Sequence, residues 1–184
     1  MARIPREQRK EKIIEVLNKA RSMELHAIHQ YMNQHYNLDN WDYGDMAAKV
    51  KLIAIDEMRH AEKFADRVEE LGGQPTTEAA AKSIKGQNVE AIFPFDSNLE
   101  DNTIVTYNDF IKVCRENGDS SSVKLFEMII EEEQIHLNYF DNVSDHIKNL
   151  DGTYLAQIAG TSSATGLQTQ GFAARQGGAP QAGA

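Results

Sequence analysis

The sequence predicts an all-α protein, a four-helix bundle with one long connection between its second and third helices. Apolar residues return every three or four positions across long segments, which is the period of an amphipathic helix. The strict alternation of polar and apolar residues that marks half-buried strands is absent from the sequence. Clusters of glycine, proline and capping residues separate the helical segments.

The first two helices form a predicted pair joined by a short turn. The first runs from about Arg6 to Tyr36, and the second opens near Asp45 and ends at Leu71, before a Gly-Gly-Gln-Pro breaker. Because the joint is short, the two helices should be antiparallel. The polar stretch 73–88 then suits a crossover along the length of the bundle.

The remaining helices form a second predicted pair. The start of the third helix is placed only within the range 89–98, because Pro94 lies in that range. The helix ends before a cluster of capping residues at 119–122. The fourth helix runs from that cluster to about Leu150, and a short fifth helix covers 153–159. The short joint between the third and fourth helices again predicts an antiparallel arrangement.

These helices form one predicted domain, residues 1–160. Residues 161–184 contain no acidic residue and one basic residue, Arg175, and they consist mainly of Ala, Gly, Gln, Ser and Thr. Such a composition offers almost nothing to bury, so a disordered tail is expected there.

The composition excludes several partners and kinds of site. The chain has 28 acidic against 19 basic residues and a pI of about 5.1, which argues against nucleic acid as a partner. No apolar run approaches the roughly 20 residues that cross a bilayer, so no membrane partner is expected. The single cysteine, Cys114, excludes a disulfide-stapled scaffold and paired Cys-x-x-Cys metal sites. The charged N-terminal segment does not resemble a signal peptide, and the cytoplasm is the expected location.

Ionisable residues interrupt the apolar stripe of every long helix. The first and third helices each place one glutamate on that stripe, and the second and fourth each place a Glu-x-x-His pair there. The six residues are Glu24, Glu57, His60, Glu100, Glu133 and His136. Burying four unpaired carboxylates in one core would be prohibitive without a cation. The sequence therefore predicts a metal site inside the bundle.

The chemistry of these residues indicates two metal ions. Four carboxylates and two imidazoles from facing helices form the ligand set of a dinuclear carboxylate centre. The i, i+3 spacing places the glutamate and histidine of each pair on one helix face. Four negative charges balance two divalent cations, a combination that suits Fe(II) or Mn(II).

An internal repeat strengthens this prediction. Glu24 precedes Glu57 by 33 residues, and Glu100 precedes Glu133 by the same number. A shift of 76 residues superimposes Glu24, Tyr31, Glu57, His60 and Phe64 on Glu100, Tyr107, Glu133, His136 and Phe140. A single Glu-x-x-His motif is commonly a solvated helix face, whereas two motifs in register on apolar stripes favour a metal centre.

The motifs that carry these residues resemble those of bacterioferritins, members of the ferritin-like superfamily, and in particular the type found in sulfate-reducing bacteria. They are MELHAIHQYM (23–32), IDEMRHAEKF (55–64) and EEEQIHLNYF (131–140), and the resemblance covers about residues 8–160. It implies that the bundle has the ferritin-like form.

The resemblance also implies a role for each predicted ligand. The glutamates of the two Glu-x-x-His motifs would bridge two irons per subunit. Glu24 with His60 and Glu100 with His136 would complete the two metal sites. Tyr31 matches a tyrosine that the family keeps beside the centre, as a hydrogen-bond partner or a one-electron donor.

The activity implied is that of a ferroxidase and iron store. Two Fe(II) ions would be oxidised together by O2 or H2O2, and the Fe(III) product would be stored as mineral. The resemblance further implies a hollow shell of 24 subunits built from twofold dimers, and an electron-donor protein for iron release.

Met58 is the residue that separates bacterioferritins from other ferritins. Its position directly after Glu57 points it about 100° away from the metal stripe, which also suits an ordinary exposed methionine. The resemblance implies instead that Met58 ligates a haem iron shared between two subunits, as haem b or a related porphyrin such as iron-coproporphyrin. Family members with an extra iron site on the cavity wall have a histidine where this chain has Leu52, and this departure argues against such a site.

Other functions use the same ligands. A rubrerythrin-like peroxidase or a manganese catalase would be a small di-metal redox enzyme without storage. The missing Cys-x-x-Cys pairs weaken the first alternative, and Met58 within its motif weakens the second. A purely structural bundle would leave six buried ionisable groups unexplained.

Overall fold

The computed structural model describes residues 5–161 and 171–172, and four α-helices account for most of them. The helices are α1 (Arg6–Asn40), α2 (Gly44–Glu70), α3 (Val89–Glu116) and α4 (Ser120–Ile158). The α1 helix packs along α2 and α3 packs along α4, and the two pairs pack on each other. The predicted all-α four-helix bundle is confirmed.

Within the part of the chain that the structure describes, no helix has both the length and the apolar character needed to cross a membrane.

Capping residues set where the second pair of helices begins. The Asn88 side chain accepts a hydrogen bond from the Ala91 amide at 2.9 Å, so α3 starts at the early end of its predicted window. Pro94 lies inside α3 but on its exposed side, where water can reach the carbonyl group that proline leaves without a partner. Asp119 caps α4 by accepting from the Ser122 amide at 3.1 Å, as the sequence predicts.

The connection between α2 and α3 lies along α1. Gly72 ends α2 with a φ of 81°, a left-handed conformation that favours glycine. Further along, the Ala80 amide donates to the Ser22 carbonyl at 2.8 Å, and the Ile84 amide donates to the Gln30 side chain at 2.8 Å. The predicted long crossover is therefore held by hydrogen bonds to the helix that it passes.

The direction of α4 changes at Asp151, whose φ of 46° and ψ of −143° are not helical. Residues 152–158 after this kink form the predicted short fifth helix. The chain then returns to the turn between α1 and α2, where the Gly160 amide donates to the Asp42 carbonyl at 2.8 Å.

Most of the predicted tail, 162–170 and 173–184, lies outside the described residues, so its disorder stays a prediction. Gly171 and Phe172 are described, and both are buried. The Phe172 ring centroid lies 5.0 Å from that of Tyr139 on α4. The composition of this segment suggests that it has almost nothing to bury, and the structure differs from that expectation at these two residues. Phe172 is one of the few large apolar side chains in the segment.

Two hydrophobic clusters fill the bundle, and a polar layer separates them. One cluster includes Leu38 and Phe93, and the other includes Leu17 and Phe126, all fully buried. On every helix, the predicted metal ligands lie between the residues of one cluster and those of the other. The fold therefore places the site at mid-length of the bundle, away from water.

Candidate metal centre

All six predicted ligands lie in the polar layer between the two clusters. Each side chain is at most 2% exposed, and the six are Glu24 on α1, Glu57 and His60 on α2, Glu100 on α3, and Glu133 and His136 on α4. The structure thus brings together every residue that the sequence assigned as a ligand. That they bind metal remains a prediction.

The ligands form two groups that share two members. One group adds Glu24 and His60 to the glutamates of the two Glu-x-x-His motifs. The other group adds Glu100 and His136 to the same two glutamates. Within each group the ligand atoms lie within 4.8 Å of one another. Metal ions in both groups would therefore be bridged by the shared glutamates, which is the arrangement that the resemblance implies.

The two histidines direct their Nδ1 atoms at the centre. The Nδ1 atom of His60 lies 3.1 Å from Glu57 Oε2 and 3.0 Å from Glu133 Oε1. The Nδ1 atom of His136 lies 3.1 Å from Glu57 Oε1 and 3.0 Å from Glu133 Oε2. The two halves of the site are therefore related by near-twofold symmetry, and each histidine directs its Nδ1 atom at the centre.

A further acidic residue contacts each histidine from behind. The Nε2 atom of His60 lies 3.0 Å from Glu132 Oε2, and that of His136 lies 3.3 Å from Asp56 Oδ2. Each of these acids directly precedes the glutamate of the opposite motif, so α2 holds the histidine of α4 and α4 holds that of α2. Such an acid orients the ring and fixes its tautomer, so that Nδ1 can face a metal.

Each outer acid also lies beside a cation. Arg59 Nη1 is 3.5 Å from Asp56 Oδ1, and Lys63 Nζ is 3.8 Å from Glu132 Oε1. Burial raises the pKa of Glu132, but the hydrogen bond from His60 and the charge of Lys63 outweigh burial and lower it. Glu132 is therefore held ionised beside the histidine that it orients.

Two tyrosines donate hydrogen bonds to the glutamates that are not shared. The Tyr31 hydroxyl donates to Glu100 Oε1 at 2.5 Å, and the Tyr107 hydroxyl donates to Glu24. Both tyrosines are fully buried. Tyr31 thus lies beside the predicted centre, at the position that the resemblance implies.

Tyr107, Asp56 and Glu132 are residues of the site to which the sequence analysis gave no role. The 76-residue repeat contains a signal for each, because it superimposes Asp56 on Glu132 and Tyr31 on Tyr107. An acid before each Glu-x-x-His motif is thus part of the same pattern as the ligands.

Without metal, the centre holds protons. Burial raises the pKa of Glu24 and Glu100 well above the ordinary range, and the charges of the two shared glutamates raise it further. Burial acts to lower the pKa of His60 and His136, but the carboxylates around them outweigh it and hold both pKa values well above the ordinary range. Metal ions would have to replace these protons.

The residues present fit a pair of divalent cations. Glu57 Oε1 and Glu133 Oε1 are buried and accept no hydrogen bond from any residue that the structure describes. Each lies within 3.1 Å of a histidine Nδ1, but outside hydrogen-bond geometry. A buried carboxylate oxygen without a partner is costly, and a cation between the carboxylates would satisfy both.

Met58 lies on the side of α2 away from this centre, with 55% of its surface exposed. Ile55 precedes it by one turn on the same face. On α1, the spacing places Leu25, Met32 and Tyr36 on one face, and Tyr36 is 63% exposed. Met58 on α2 and Tyr36 on α1 are therefore the exposed members of this set.

Leu52 occupies the position where family members with an extra iron site have a histidine. Leu52 is buried and offers no ligand atom. Asp56 is engaged by His136 and Arg59, and Gly171 lies so close to its carboxylate that a Cβ atom there would come within 1.5 Å of Oδ1. Glycine is therefore the residue that this contact requires.

Comparison with known proteins places these features in a family context. The family model of the ferritin-like domain matches residues 14–150. Bacterioferritin from Desulfovibrio desulfuricans is 63% identical over 91% of this chain and 93% of that protein. Bacterioferritin BfrA from Mycobacterium tuberculosis is 33% identical over 70% of this chain and 81% of that protein.

Solved structures show the same similarity. The X-ray structure of D. desulfuricans bacterioferritin, which describes the diiron site of that protein in different catalytic states, matches with a TM-score of 0.88 and 62% identity. The match covers 92% of this chain and 99% of that one. The structure of M. tuberculosis BfrA matches with a TM-score of 0.76 and 31% identity, over 80% of this chain and 93% of that one.

Proposed function

The chain belongs to the bacterioferritins, within the ferritin-like family of iron-storage proteins, and from that membership we propose how its buried centre serves iron storage. Two Fe(II) ions bind as substrates among the six ligands. They are oxidised together, and Fe(III) passes to a stored ferric mineral. The protein is thus a ferroxidase as well as an iron store.

The observation that carries this proposal is the sharing of Glu57 and Glu133 between the two ligand groups. Two substrate ions held side by side can deliver two electrons to one oxidant molecule. With O2, two Fe(II) and two protons give two Fe(III) and H2O2; with H2O2, the same inputs give two Fe(III) and two water molecules. Four buried carboxylates favour the more highly charged product electrostatically.

The direct test is aerobic Fe(II) oxidation followed by the absorbance of Fe(III). Glu57→Ala and His136→Ala each remove a ligand, and we expect the initial rate to fall about tenfold or more. Glu131→Ala is the matched control, because Glu131 is exposed on α4 beside the motif. Unchanged rates in both ligand variants would overturn the site assignment.

We further propose that the subunits assemble into the 24-subunit shell of the family, in the cytoplasm. Size-exclusion chromatography should then give a species of about 500 kDa, 24 times the 20.6 kDa of one chain. A dimer or hexamer would contradict the shell. Relatives at 63% and 33% identity are bacterioferritins, so a peroxidase or catalase without storage is not proposed.

Met58 supports a porphyrin between two subunits. Its side chain is exposed on the side of α2 away from the metal ligands, where a second copy could supply the other sulfur. These residues fit haem b or iron-coproporphyrin, which supplies one-electron transfer when bound. Electrons from a donor protein would then reach the stored iron and release it as Fe(II).

A further inference from the structure

We propose that Tyr107 is a second redox-active tyrosine, which gives one electron to the oxidant from the half of the centre that contains Glu24. The inference rests on the ferroxidase function proposed above. It assigns Tyr107 the role in one half-site that Tyr31 has the geometry to perform in the other.

The first support is the hydrogen bond that each tyrosine makes. Tyr107 on α3 donates to Glu24 on α1, while Tyr31 on α1 donates to Glu100 on α3. A phenol loses an electron most readily when its proton can move at the same time to a hydrogen-bonded base. Each tyrosine has such a base in a carboxylate of its own half-site.

The second support is the aromatic surroundings, which repeat in the same way. The ring centroids of Tyr107 and Phe64 lie 5.6 Å apart, and those of Tyr31 and Phe140 lie 5.4 Å apart. The 76-residue repeat that superimposes Tyr31 on Tyr107 also superimposes Phe64 on Phe140. Each tyrosine therefore packs on the equivalent phenylalanine, and both are fully buried.

The third support is the cost of a buried hydroxyl at this position. Tyr107 is fully buried, and its ring also packs on Phe126, with centroids 5.3 Å apart. Phenylalanine would fill the same space without burying a hydroxyl group. The hydroxyl contacts only Glu24 and, at 3.4 Å, the Ala20 carbonyl among the described residues. Its presence is explained by an action on Glu24.

Tyr139 differs from Tyr31 and Tyr107 in its hydrogen bonding. It is a half-buried tyrosine on α4, and its buried hydroxyl has no hydrogen-bond partner among the residues that the structure describes. It therefore lacks the proton acceptor that Tyr31 and Tyr107 both have.

The number of electrons that O2 requires gives Tyr31 and Tyr107 a shared function. Two Fe(II) alone supply two electrons and reduce O2 only to H2O2, whereas reduction of O2 to two water molecules takes four electrons and four protons. One electron and one proton from each of Tyr31 and Tyr107 supply the remaining electrons and two of the protons, and solvent supplies the other two protons. Each tyrosyl radical is then reduced by a further Fe(II) ion, which becomes Fe(III), and the phenol regains a proton from solvent.

The test is a single turnover of the assembled protein. Wild type, Tyr31→Phe, Tyr107→Phe and the double variant are loaded anaerobically with two Fe(II) per subunit and mixed with O2. Freeze-quench EPR then counts tyrosyl radicals, and a peroxidase-coupled dye measures H2O2. Tyr154→Phe is the control, because Tyr154 lies in the segment beyond the α4 kink.

In Tyr107→Phe, two Fe(II) ions and Tyr31 supply only three electrons per subunit, too few to reduce O2 to water. The variant should therefore release more H2O2 and form fewer tyrosyl radicals than wild type, and the double variant should form none. Anaerobic Fe(II) titration should still give two ions per subunit in Tyr107→Phe. Wild-type radical and H2O2 yields in Tyr107→Phe would overturn the inference, as would loss of Fe(II) binding, which would make Tyr107 structural only. If wild type itself oxidises no Fe(II), the proposed function fails first, and this result is distinct from either outcome.

Discussion

The Nε2 atom of His60 lies 3.0 Å from Glu132 Oε2, so a residue outside the ligand set orients a predicted ligand of the centre. Removing this contact in Glu132→Ala should weaken metal binding about 10- to 100-fold, because the ring is no longer held toward the metal. Anaerobic calorimetric titration with Fe(II) or Co(II) measures the change.

Two further variants separate orientation from charge. Glu132→Gln keeps an oxygen that can accept from Nε2, so we expect part of the affinity to return. Glu131→Ala changes the exposed neighbouring residue and should leave the affinity unchanged. Wild-type affinity in Glu132→Ala would show that Glu132 does not support the site.

Metal binding should release protons. Burial and neighbouring carboxylates raise the pKa of Glu24 above its ordinary value, and carboxylates that outweigh burial raise that of His60. These groups therefore hold protons in the metal-free protein at neutral pH, and a bound cation displaces them. Affinity should rise with pH over the neutral range.

Calorimetry in two buffers of different ionisation enthalpy measures this release. The apparent binding enthalpy should differ between the buffers at the same pH, and the difference should shrink as the pH rises. Identical enthalpies in both buffers at neutral pH would contradict the protonated state of the empty site.

Asp96 is a buried carboxyl group near this centre, and its Oδ1 accepts a hydrogen bond from Gln34 at 2.7 Å. Burial raises its pKa well above the ordinary value, although the bond from Gln34 acts to lower it. The folded protein therefore holds this proton more tightly than the unfolded chain does. Stability that depends on the proton is present below the unfolded pKa of about 4 and is lost as the pH rises through the folded pKa.

Asp96→Asn cannot ionise and should escape that loss. Its free energy of unfolding relative to wild type should therefore increase with pH, in total by about 1.4 kcal/mol for each unit by which the folded pKa is raised. The melting temperature of the variant should rise relative to that of wild type in the same direction. Differential scanning calorimetry at several pH values measures this, and Asp101→Asn on the exposed side of α3 is the control. An offset that does not change with pH would contradict the raised pKa.

Met58→Leu should remove the porphyrin and leave iron oxidation intact, since Met58 lies on the other side of α2 from the metal ligands. Leucine keeps the apolar volume but has no sulfur to ligate haem iron. The visible spectrum of the purified protein should show a Soret band in wild type and none in the variant. Met128→Leu, which removes a different thioether, should keep the band; a full Soret band in Met58→Leu would contradict the assignment.

The helices and the burial of the six predicted ligands were predictable from sequence because each depends on spacing along one chain. Apolar periodicity located the four helices, and the 76-residue repeat placed two Glu-x-x-His motifs in register. The start of α3 was harder to predict, since it depends on whether the Asn88 cap outweighs Pro94. The structure shows that it does.

Contacts between helices were harder to predict. That Glu132 contacts His60, and that Tyr107 donates to Glu24, depends on how α2 packs against α4 and α1 against α3. Sequence periodicity indicates which face of a helix carries a residue, but not which atom of a facing helix that residue contacts. The burial of Phe172 was missed for a related reason, because composition alone suggested that its segment had nothing to pack against.

Iron-edge anomalous diffraction from crystals soaked anaerobically with Fe(II) tests whether the bundle interior holds two iron ions between the shared glutamates. We predict two anomalous peaks in each subunit, one among Glu24, Glu57, His60 and Glu133 and one among Glu57, Glu100, Glu133 and His136. A single peak, or peaks only outside these groups, would contradict this prediction.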